Sequence, residues 1–397
     1  MQDLKTTFVR LGLVCLVALG VAAVAEDTDD TKSDPLIEQG TAFILTTQEG
    51  DGAREWPYEG VYRVRGKQQE PMIPIGYRVG GTSLTGMALL RSSALRNDPQ
   101  RNASLDRAVE FVCEAISDPL MSYDRYRGGY DVRGWGYIYA ILFLRELQDR
   151  DAVPDSRAQQ VEDAVGFYTR GLVAIEIPGW GGWNYSRRRS VERPCPQAPF
   201  MTGPAIQALI TAAAGGQQID PAVIERGLDA LERSRSITGA VEYSGGDARA
   251  GASTLVAGAV GRMLVTESTL FLASRGSLDA VRGALDAFFA HWERLEERRA
   301  RSGTHEGPFG VAPYYFFFAH LYAAQAIELL PEAVRSEYHL RLRQRLLVVR
   351  AEDGTWNDRV FPRSATYGTA MAILSLTMPD EHRLARWPLD AKNEATP

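Results

Sequence analysis

Asp353-Gly354-Thr355-Trp356 marks a sharp turn between two predicted helices of opposite character. The segment before the turn is charged, whereas the segment after it, 365–376, is an apolar run of small residues. Gly354 permits a tight turn, because glycine adopts backbone conformations that other residues resist. Trp356 can then fold onto the two helices as a hydrophobic anchor. The stretch therefore predicts a helical hairpin closed by a tryptophan-containing turn.

The same unit recurs along the chain at intervals of about 50 to 60 residues, as in repeat architectures. In each unit the first helix is amphipathic, and the second is apolar all round and starts with Gly, Ala, Ser or Thr. Thr82 and Ser104 are interpreted as N-caps. The predicted helix pairs are 35–48 and 83–95, 105–116 and 137–147, 156–175 and 202–214, 221–234 and 251–265, 278–298 and 313–330, and the helix before 350 with 365–376.

This asymmetry predicts an all-α fold in which the second helices lie inside and the first helices lie outside. Six such hairpins close into an α/α toroid with an inner and an outer ring of helices. An open solenoid is the alternative, but the atypical capping repeats that it requires are not evident at either end of the chain.

The first residues have the features of a secretory signal peptide. Lys5 and Arg10 precede an apolar run from Leu11 to Val24, and Ala23-Val24-Ala25 is a small-x-small cleavage site. The run is shorter than the roughly 20 residues of a spanning helix. We therefore expect an exported protein of bacterial type, periplasmic or secreted, with no stable membrane span after cleavage. The predicted organisation is a signal peptide at 1–25, a disordered polar lead-in at 26–34, a single toroid domain at 35–380 and a C-terminal tail at 381–397.

Charge and cysteine content limit the partners of the protein. The formal net charge of −6 argues against nucleic acid, because phosphate binding needs a basic surface. No two histidines have metal-ligand spacing on one helix, and there is no CxxC pattern, so no metal and no cofactor are predicted. Cys113 and Cys195 can pair in an exported chain or stay separate. The oligomeric state is not indicated.

Three turns carry a resemblance to a known superfamily. They are Asp353-Gly354-Thr355-Trp356, Gly181-Gly182-Trp183-Asn184-Tyr185 and Gln48-Glu49-Gly50 with Trp56. Each precedes a small-residue helix, and the arrangement resembles the repeats of the prenyltransferase and squalene-cyclase (terpenoid cyclase) superfamily. The resemblance implies a barrel of six hairpins whose central cavity opens where the inner helices begin.

The chain departs from the chemical motifs of that superfamily. Asp27-Thr28-Asp29-Asp30 matches the Asp-x-Asp-Asp acid of squalene cyclases, but it directly follows the cleavage site and lies outside every hairpin. A catalytic acid needs an enclosed pocket, so we interpret this run as a polar tail. The Asp-x-Cys pair of the prenyltransferase zinc site and the Cys-Gly-Glu-Gln thioester run of complement-like toroids are absent.

In a toroid, the loops before the inner helices and the first turns of those helices surround the cavity mouth. Aromatic rings beside carboxylates and arginines suit sugar stacking or an oxidised lipid. The candidate catalytic residues are Asp131, His305, Glu306 and Asp358. The candidate ligand-binding residues are Tyr77, Arg78, Arg133, Trp135, Tyr185, Tyr314, Arg359 and Tyr367. Further residues expected at the mouth are Tyr130, Trp183, Asn184, Glu242, Tyr243 and Tyr315.

Several candidates also have a structural interpretation. Asp131 and Arg133 are two positions apart and can pair to brace their loop. The adjacent His305 and Glu306 form the best acid–base couple by residue type, although adjacent side chains usually point apart. Trp135, like the tryptophans at 183 and 356, is interpreted first as a repeat anchor. The histidine at 320 is predicted to be a core residue.

The main functional hypothesis is an exported toroid that binds a small-molecule, lipid or glycan ligand, or a partner, at its central cavity without catalysis. The alternative is a polysaccharide hydrolase or lyase outside the cytoplasm, by analogy with other α/α barrels. A further alternative is an atypical terpenoid cyclase, against which export from the cytoplasm counts. Whether the protein is an enzyme stays open. A wholly apolar cavity would favour lipid, and a groove with two carboxylates or a carboxylate–arginine pair about 5 to 10 Å apart would favour glycan chemistry.

Overall fold

Outer and inner helices follow one another along the described chain, and the outer segment of the fifth pair is divided into two helices, Leu278–Ala290 and Trp292–Arg299. The computed structural model of the protein describes residues 34–58, 64–65, 71–92, 97–124, 130–187, 190–244, 255–299, 315–358, 364–380 and 384–389. Within them the helices are α1 (Pro35–Thr46), α2 (Ile75–Arg91), α3 (Pro99–Glu114), α4 (Arg133–Asp149), α5 (Ala158–Ala174), α6 (Pro199–Ala214), α7 (Pro221–Arg233), α8 (Val256–Leu272), α9 (Leu278–Ala290), α10 (Trp292–Arg299), α11 (Tyr315–Glu328), α12 (Glu332–Val348) and α13 (Ala365–Leu376).

The remaining regular elements are short. Two strands, β1 (Val64–Arg65) and β2 (Pro71–Met72), pair antiparallel in the loop between α1 and α2. Single 3₁₀ turns lie at Asp51–Ala53, Ala115–Ser117, Asp155–Arg157 and Met378–Asp380.

The inner helices α2, α4, α6, α8, α11 and α13 pack side by side in that order, and α13 packs against α2. The ring is therefore closed. Each outer helix packs mainly against the inner helix that precedes it, and α1 packs against α13. The closed ring of six hairpins confirms the predicted α/α toroid and excludes the open solenoid. The ring also explains why inner helices are more buried than outer ones. The inner helices α2, α6 and α8 are enclosed along nearly their whole length, whereas the outer helix α12 has few buried residues.

Three tryptophans join the helices of their hairpins in the same way. Trp56, Trp183 and Trp356 are at most 2 % exposed. Each indole N–H donates to a main-chain carbonyl of the preceding outer helix, at Ile44 (3.0 Å), Leu172 (2.8 Å) and Leu346 (2.8 Å) respectively. Each main-chain N–H donates to a threonine hydroxyl of the following inner helix, at Thr82 (2.9 Å), Thr202 (3.0 Å) and Thr369 (3.1 Å). The anchor interpretation is confirmed for Trp183 and Trp356.

The small residues at the start of α2 and α13 make room for these anchors. Gly81 and Gly368 precede the two threonines, and a Cβ at either position would overlap the main-chain oxygen of the anchor tryptophan. Thr82 thus lies inside α2, and its prediction as an N-cap is wrong, because α2 already begins at Ile75 and continues through Gly80 and Gly81. The prediction of Ser104 as an N-cap is also wrong, because Ser104 lies inside a helix that begins before it. Helix α3 begins earlier, with Asp98 as N-cap and Pro99 in the first turn.

The centre of the ring is closed by a pair of buried amides. Gln207 on α6 and Gln325 on α11 exchange two hydrogen bonds of 2.9 Å, and Gln207 also donates to the hydroxyl of Thr269 on α8 (2.9 Å). Buried polar groups are stable only when their hydrogen bonds are made. The pair therefore links the three inner helices α6, α8 and α11.

Substituting Gln207 by leucine is expected to lower the free energy of unfolding by about 1–3 kcal/mol, because the amide of Gln325 would be left buried without this partner. The double substitution Gln207→Leu with Gln325→Leu should recover most of that loss, since both polar groups are then removed. Urea unfolding of the two single variants and the double variant measures the coupling. Additive losses would contradict the pairing.

The described chain ends make contacts of their own. The carboxylate of Asp34 caps α1 by accepting from the N–H of Leu36 (2.9 Å), and it forms an ion pair with Arg343. Trp387 donates its main-chain N–H to Leu272 (3.0 Å). The predicted signal peptide at 1–25, residues 26–33 of the lead-in predicted at 26–34, and residues 390–397 of the predicted tail lie outside the described residues. Among the helices described, none is long and apolar enough to cross a membrane.

The two cysteines after the predicted signal are buried and are not joined by a disulfide. Cys113 lies on α3, where burial raises the pKa of its thiol to about 12. Cys195 lies in the loop before α6. The sequence allowed these cysteines either to form a disulfide or to stay separate, and in the structure they are separate thiols.

Candidate functional site

An aromatic cavity opens at the end of the ring where the inner helices begin. Its volume is about 60 Å³, several times the space that one water molecule needs. Nine of the thirteen described residues that line it are aromatic. These are Tyr58, Tyr77, Tyr130, Trp135, Tyr139, Tyr185, Phe200, Phe318 and Tyr367, and the others are Gly76, Gly80, Gly81 and Leu84. Five of the six inner helices contribute to this lining: α2, α4, α6, α11 and α13.

Trp135 is the centre of the lining. Its ring is stacked on Tyr139 (centroids 5.9 Å apart, planes at 8°) and on Phe200 (5.7 Å, 21°). Unlike the three anchor tryptophans, it is only half-buried. The interpretation of Trp135 as a repeat anchor is therefore wrong, because it lies in the first turn of an inner helix, whereas the anchors lie in the loop before one.

Close approach of α2 and α4 brings these rings together. Gly76 and Gly80 face α4, and a Cβ on Gly76 would overlap the main chain at Val132. Two helices that meet at glycines can pack with their backbones in near contact. Tyr77 is thereby placed beside Trp135 in the lining. Tyr139 follows Trp135 by one helical turn, so the two rings lie on one face of α4.

The tyrosine hydroxyls at the rim are engaged with one another. The hydroxyls of Tyr77 and Tyr130 are hydrogen-bonded, and the hydroxyls of Tyr185 and Tyr243 are 2.8 Å apart. Desolvation raises the pKa of Tyr367 well above its ordinary value, and the neighbouring Tyr139 and the carboxylate of Asp358 act in the same direction. The phenol of Tyr367 therefore stays neutral at physiological pH. The cavity as a whole offers phenol hydroxyls and apolar ring faces.

The charged candidates are engaged elsewhere. The carboxylate of Asp131 binds the guanidinium of Arg133 through two hydrogen bonds (2.9 and 2.7 Å), and both residues are buried at the start of α4. Arg78 makes the same two-point contact with Glu55 (both 2.7 Å). Neither arginine is part of the described lining. These pairs brace the loops that support the cavity.

Asp358 is fully buried and accepts a hydrogen bond from the hydroxyl of Ser364 (2.6 Å). Four further candidates, His305, Glu306, Tyr314 and Arg359, lie outside the described residues. Among the residues that the structure does describe, no group of three His, Cys, Asp or Glu side chains could hold a metal ion. No Asp or Glu occurs among the thirteen lining residues named above.

Of the eight ligand-binding candidates, the structure brings four together in the lining, namely Tyr77, Trp135, Tyr185 and Tyr367. Among the aromatic lining residues, sequence reasoning missed Tyr58, Tyr139, Phe200 and Phe318. The signal for Tyr139 was its spacing of four from Trp135. Phe200 and Phe318 carried no comparable signal, because both stand in apolar segments that also read as core.

Comparison with known proteins gives the fold. No protein-family model matches the sequence, and no curated protein sequence matches it. Among solved structures, the chain is similar to an inactive variant of the α-1,6-mannanase GH76A of Salegentibacter sp. HEL1_6 in complex with α-1,6-mannotriose. The TM-score is 0.52 at 12 % identity, over 86 % of this chain and 98 % of that one.

The chain is also similar to the Lin0763 protein of Listeria innocua, with a TM-score of 0.53 at 12 % identity over 88 % of this chain and 98 % of that one. The type II terpene cyclase MstE of Scytonema matches with a TM-score of 0.45 at 15 % identity, over 87 % and 97 %. The protein is thus an α/α toroid, the fold implied by its resemblance to prenyltransferase and squalene-cyclase repeats, and its described site is an aromatic central cavity.

Proposed function

We propose that the protein binds a saccharide in the aromatic cavity without hydrolysing it. The observation that carries this proposal is the half-buried ring of Trp135, held parallel to Tyr139 at the centre of a lining made mostly of aromatic residues. Sugar rings present apolar C–H faces and polar edges, so they match aromatic faces that are bordered by hydroxyl groups. The similar mannanase fold, solved with α-1,6-mannotriose, supports this class of ligand.

The distribution of carboxylates favours binding over hydrolysis. Glycosidases use two carboxyl groups about 5 to 10 Å apart across the scissile bond. The described lining contributes none, and both oxygens of Asp131 are occupied by Arg133. A hydrolase is the second candidate, and the observation that favours it is the buried carboxylate of Asp358 beside Tyr367.

A thermal-shift screen of the full chain tests the class of ligand. The panel contains neutral oligosaccharides, including α-1,6-mannotriose, together with isoprenoid alcohols. A ligand at about 100 times its Kd stabilises a protein by about 2.7 kcal/mol. We expect a rise in melting temperature with at least one saccharide and no rise with the isoprenoids. Stabilisation by isoprenoids alone would contradict the proposal and favour a terpenoid ligand.

Substituting Trp135 by alanine is expected to weaken saccharide binding about tenfold or more, because the central stacking surface is lost. Trp180 is the matched control, since its ring is 45 % exposed and lies outside the lining. Calorimetric titration should give an unchanged Kd for Trp180→Ala. Equal Kd values for the wild type and Trp135→Ala would contradict the assigned site.

Release of reducing ends from a polysaccharide that binds would separate the two candidates. No release is expected from the binding protein, whereas release that is abolished in Asp358→Asn would support the hydrolase. Predicted export by residues 1–25 is part of the proposal, because polysaccharides of this kind lie outside the cytoplasm. A reporter fusion to these residues tests it.

A further inference from the structure

Arg187 is a buried arginine whose guanidinium is only partly engaged. The residue is 2 % exposed. Its Nη2 donates to the carbonyl of Val191 (2.6 Å), whereas Nε and Nη1 are buried with no hydrogen-bond partner in the described part of the chain. A guanidinium carries five N–H donors, so most of the donor capacity of Arg187 is unused.

Other buried arginines of this protein differ from Arg187. Arg101 is 5 % exposed, and all three of its side-chain nitrogens donate: Nε and Nη2 to the carbonyls that end α2, and Nη1 to Asn102. Arg133 is neutralised by Asp131. Two of the three side-chain nitrogens of Arg187 lack an acceptor among the described residues, and unpaired donors on a buried cation are unfavourable, so an anionic acceptor at Arg187 would be stabilising.

The surrounding charges do not supply that anion. Among the described residues, the groups that act electrostatically on Arg187 are the thiol of Cys195, the carboxylate of Asp131 and the guanidinium of Arg133, and the last two already pair with each other. Desolvation accordingly lowers the pKa of Arg187. These groups therefore carry one uncompensated positive charge, that of Arg187.

Arg187 belongs to the segment that carries Tyr185 into the aromatic cavity. Ser186, between them, pairs antiparallel with Tyr130, and the carbonyl of Tyr185 accepts from the N–H of Asp131 (2.7 Å). Tyr130 and Tyr185 both line the cavity, and their rings lie 5.3 Å apart. Arg187 is therefore two residues away from a lining residue, although it is not itself one of the thirteen residues that line the cavity.

We propose that Arg187 receives an oxyanion of the bound ligand, so that the saccharide carries an acidic substituent. The shared chemistry is an oxygen anion, either the carboxylate of a uronic acid or a sulfate ester. Hydrogen bonds from a guanidinium to such groups are among the strongest in proteins, and enclosure of the nitrogens strengthens them further. This inference rests on the proposed function and narrows its ligand.

Calorimetric titration of the full chain with galactose, galacturonic acid and galactose 6-sulfate tests the inference. We expect one of the two acidic sugars to bind at least about tenfold more tightly than galactose, and the stronger one identifies the oxyanion. Arg187→Gln should abolish the difference while leaving the Kd for galactose within about threefold. Equal Kd values for all three sugars in the wild type would overturn the inference.

Melting temperatures provide a second readout that does not need a sugar. In buffer without oxyanions, Arg187→Gln should melt no lower than the wild type, whereas the matched control Arg101→Gln should melt lower, because its hydrogen bonds are all in use. Inorganic sulfate, compared with chloride at equal ionic strength, should raise the melting temperature of the wild type and not that of Arg187→Gln.

These measurements distinguish failure of the saccharide-binding proposal from failure of the Arg187 anion-site proposal. A second variant keeps the test valid if the first one folds poorly. A sulfate response that needs Arg187, without binding of any sugar, would leave the anion site standing and contradict the saccharide proposal. Arg187→Lys keeps the charge and should retain part of the sulfate response even if Arg187→Gln folds poorly. If neither sulfate nor the acidic sugars distinguish the wild type from Arg187→Lys and Arg187→Gln, Arg187 is a structural residue and the inference fails.

Discussion

Replacing Trp356 by alanine is expected to lower the free energy of unfolding by about 3–5 kcal/mol, the range for a fully buried large aromatic residue. The indole is 0 % exposed and donates to the carbonyl of Leu346 at the end of α12. Its main-chain N–H is held by Thr369 on α13. The substitution thus leaves a cavity and an unpaired carbonyl between α12 and α13, and α13 is the helix that closes the ring against α2.

Urea unfolding followed by circular dichroism measures this loss. Trp180→Ala is the control, because an exposed tryptophan outside such features should change stability by no more than about 0.5 kcal/mol. Alanine at Trp56 or Trp183 should behave like alanine at Trp356, since the three anchors make the same two hydrogen bonds. A loss below about 1 kcal/mol at all three anchors would contradict the role assigned to them.

The second large effect is a loss of stability in acid caused by His320. The imidazole is fully buried on α11, where its Nε2 accepts from the indole N–H of Trp292 (2.9 Å) and its Nδ1 contacts the carbonyl of Phe316 (2.7 Å). Nδ1 therefore carries the proton of the neutral ring, and protonation of Nε2 would break the bond to Trp292. Burial lowers the pKa of His320 to about 4, and the positive charges of Arg299 and Arg345 lower it as well.

The sign of the effect follows from the two protonation states. Above pH 6.5 the histidine is neutral in both the folded and the unfolded chain. As the pH falls from 6.5 towards 4, the unfolded chain binds the proton first, so the folded state loses about 3 kcal/mol of relative stability over this range. Below about pH 4 both states are protonated and the loss is complete.

Comparison with His320→Gln isolates this contribution from that of the carboxylates, which titrate in both proteins. The glutamine oxygen can still accept from Trp292, but it does not titrate. Between pH 7 and pH 4 the wild type should lose about 3 kcal/mol more than the variant. Parallel pH profiles of the unfolding free energy would show that His320 is not held neutral in the fold.

The sequence predicted the fold well because its signals are local. The turn at Gly354 and Trp356 repeats with a helical pattern on each side, and each repeat can be read within a few dozen residues. The start of α2 was misread because Gly80 and Gly81 break helices in isolation, whereas here the absence of their side chains admits the neighbouring main chain. The need for glycine at these positions comes from main-chain atoms of Trp135 and Trp56, which are distant in the sequence, so it cannot be read from the residues around Gly80 and Gly81.

The site was predicted less completely, for the same physical reason. Tyr77 and Trp135 stand at the starts of inner helices, where the toroid places its cavity mouth. Arg78 looked equally suitable, but Glu55 neutralises it from a preceding loop. The partners of a charged side chain are set by the tertiary structure, so sequence reasoning could not tell a bracing ion pair from a ligand contact.

The central claim is that a saccharide ring occupies the aromatic cavity, and a crystal structure of the full chain with the tightest-binding saccharide of the screen tests it most directly. We expect a sugar ring in van der Waals contact with Trp135 and Tyr185, and an acidic substituent directed towards Arg187. Saccharide density outside the cavity, or an empty cavity at saturating ligand, would contradict the claim.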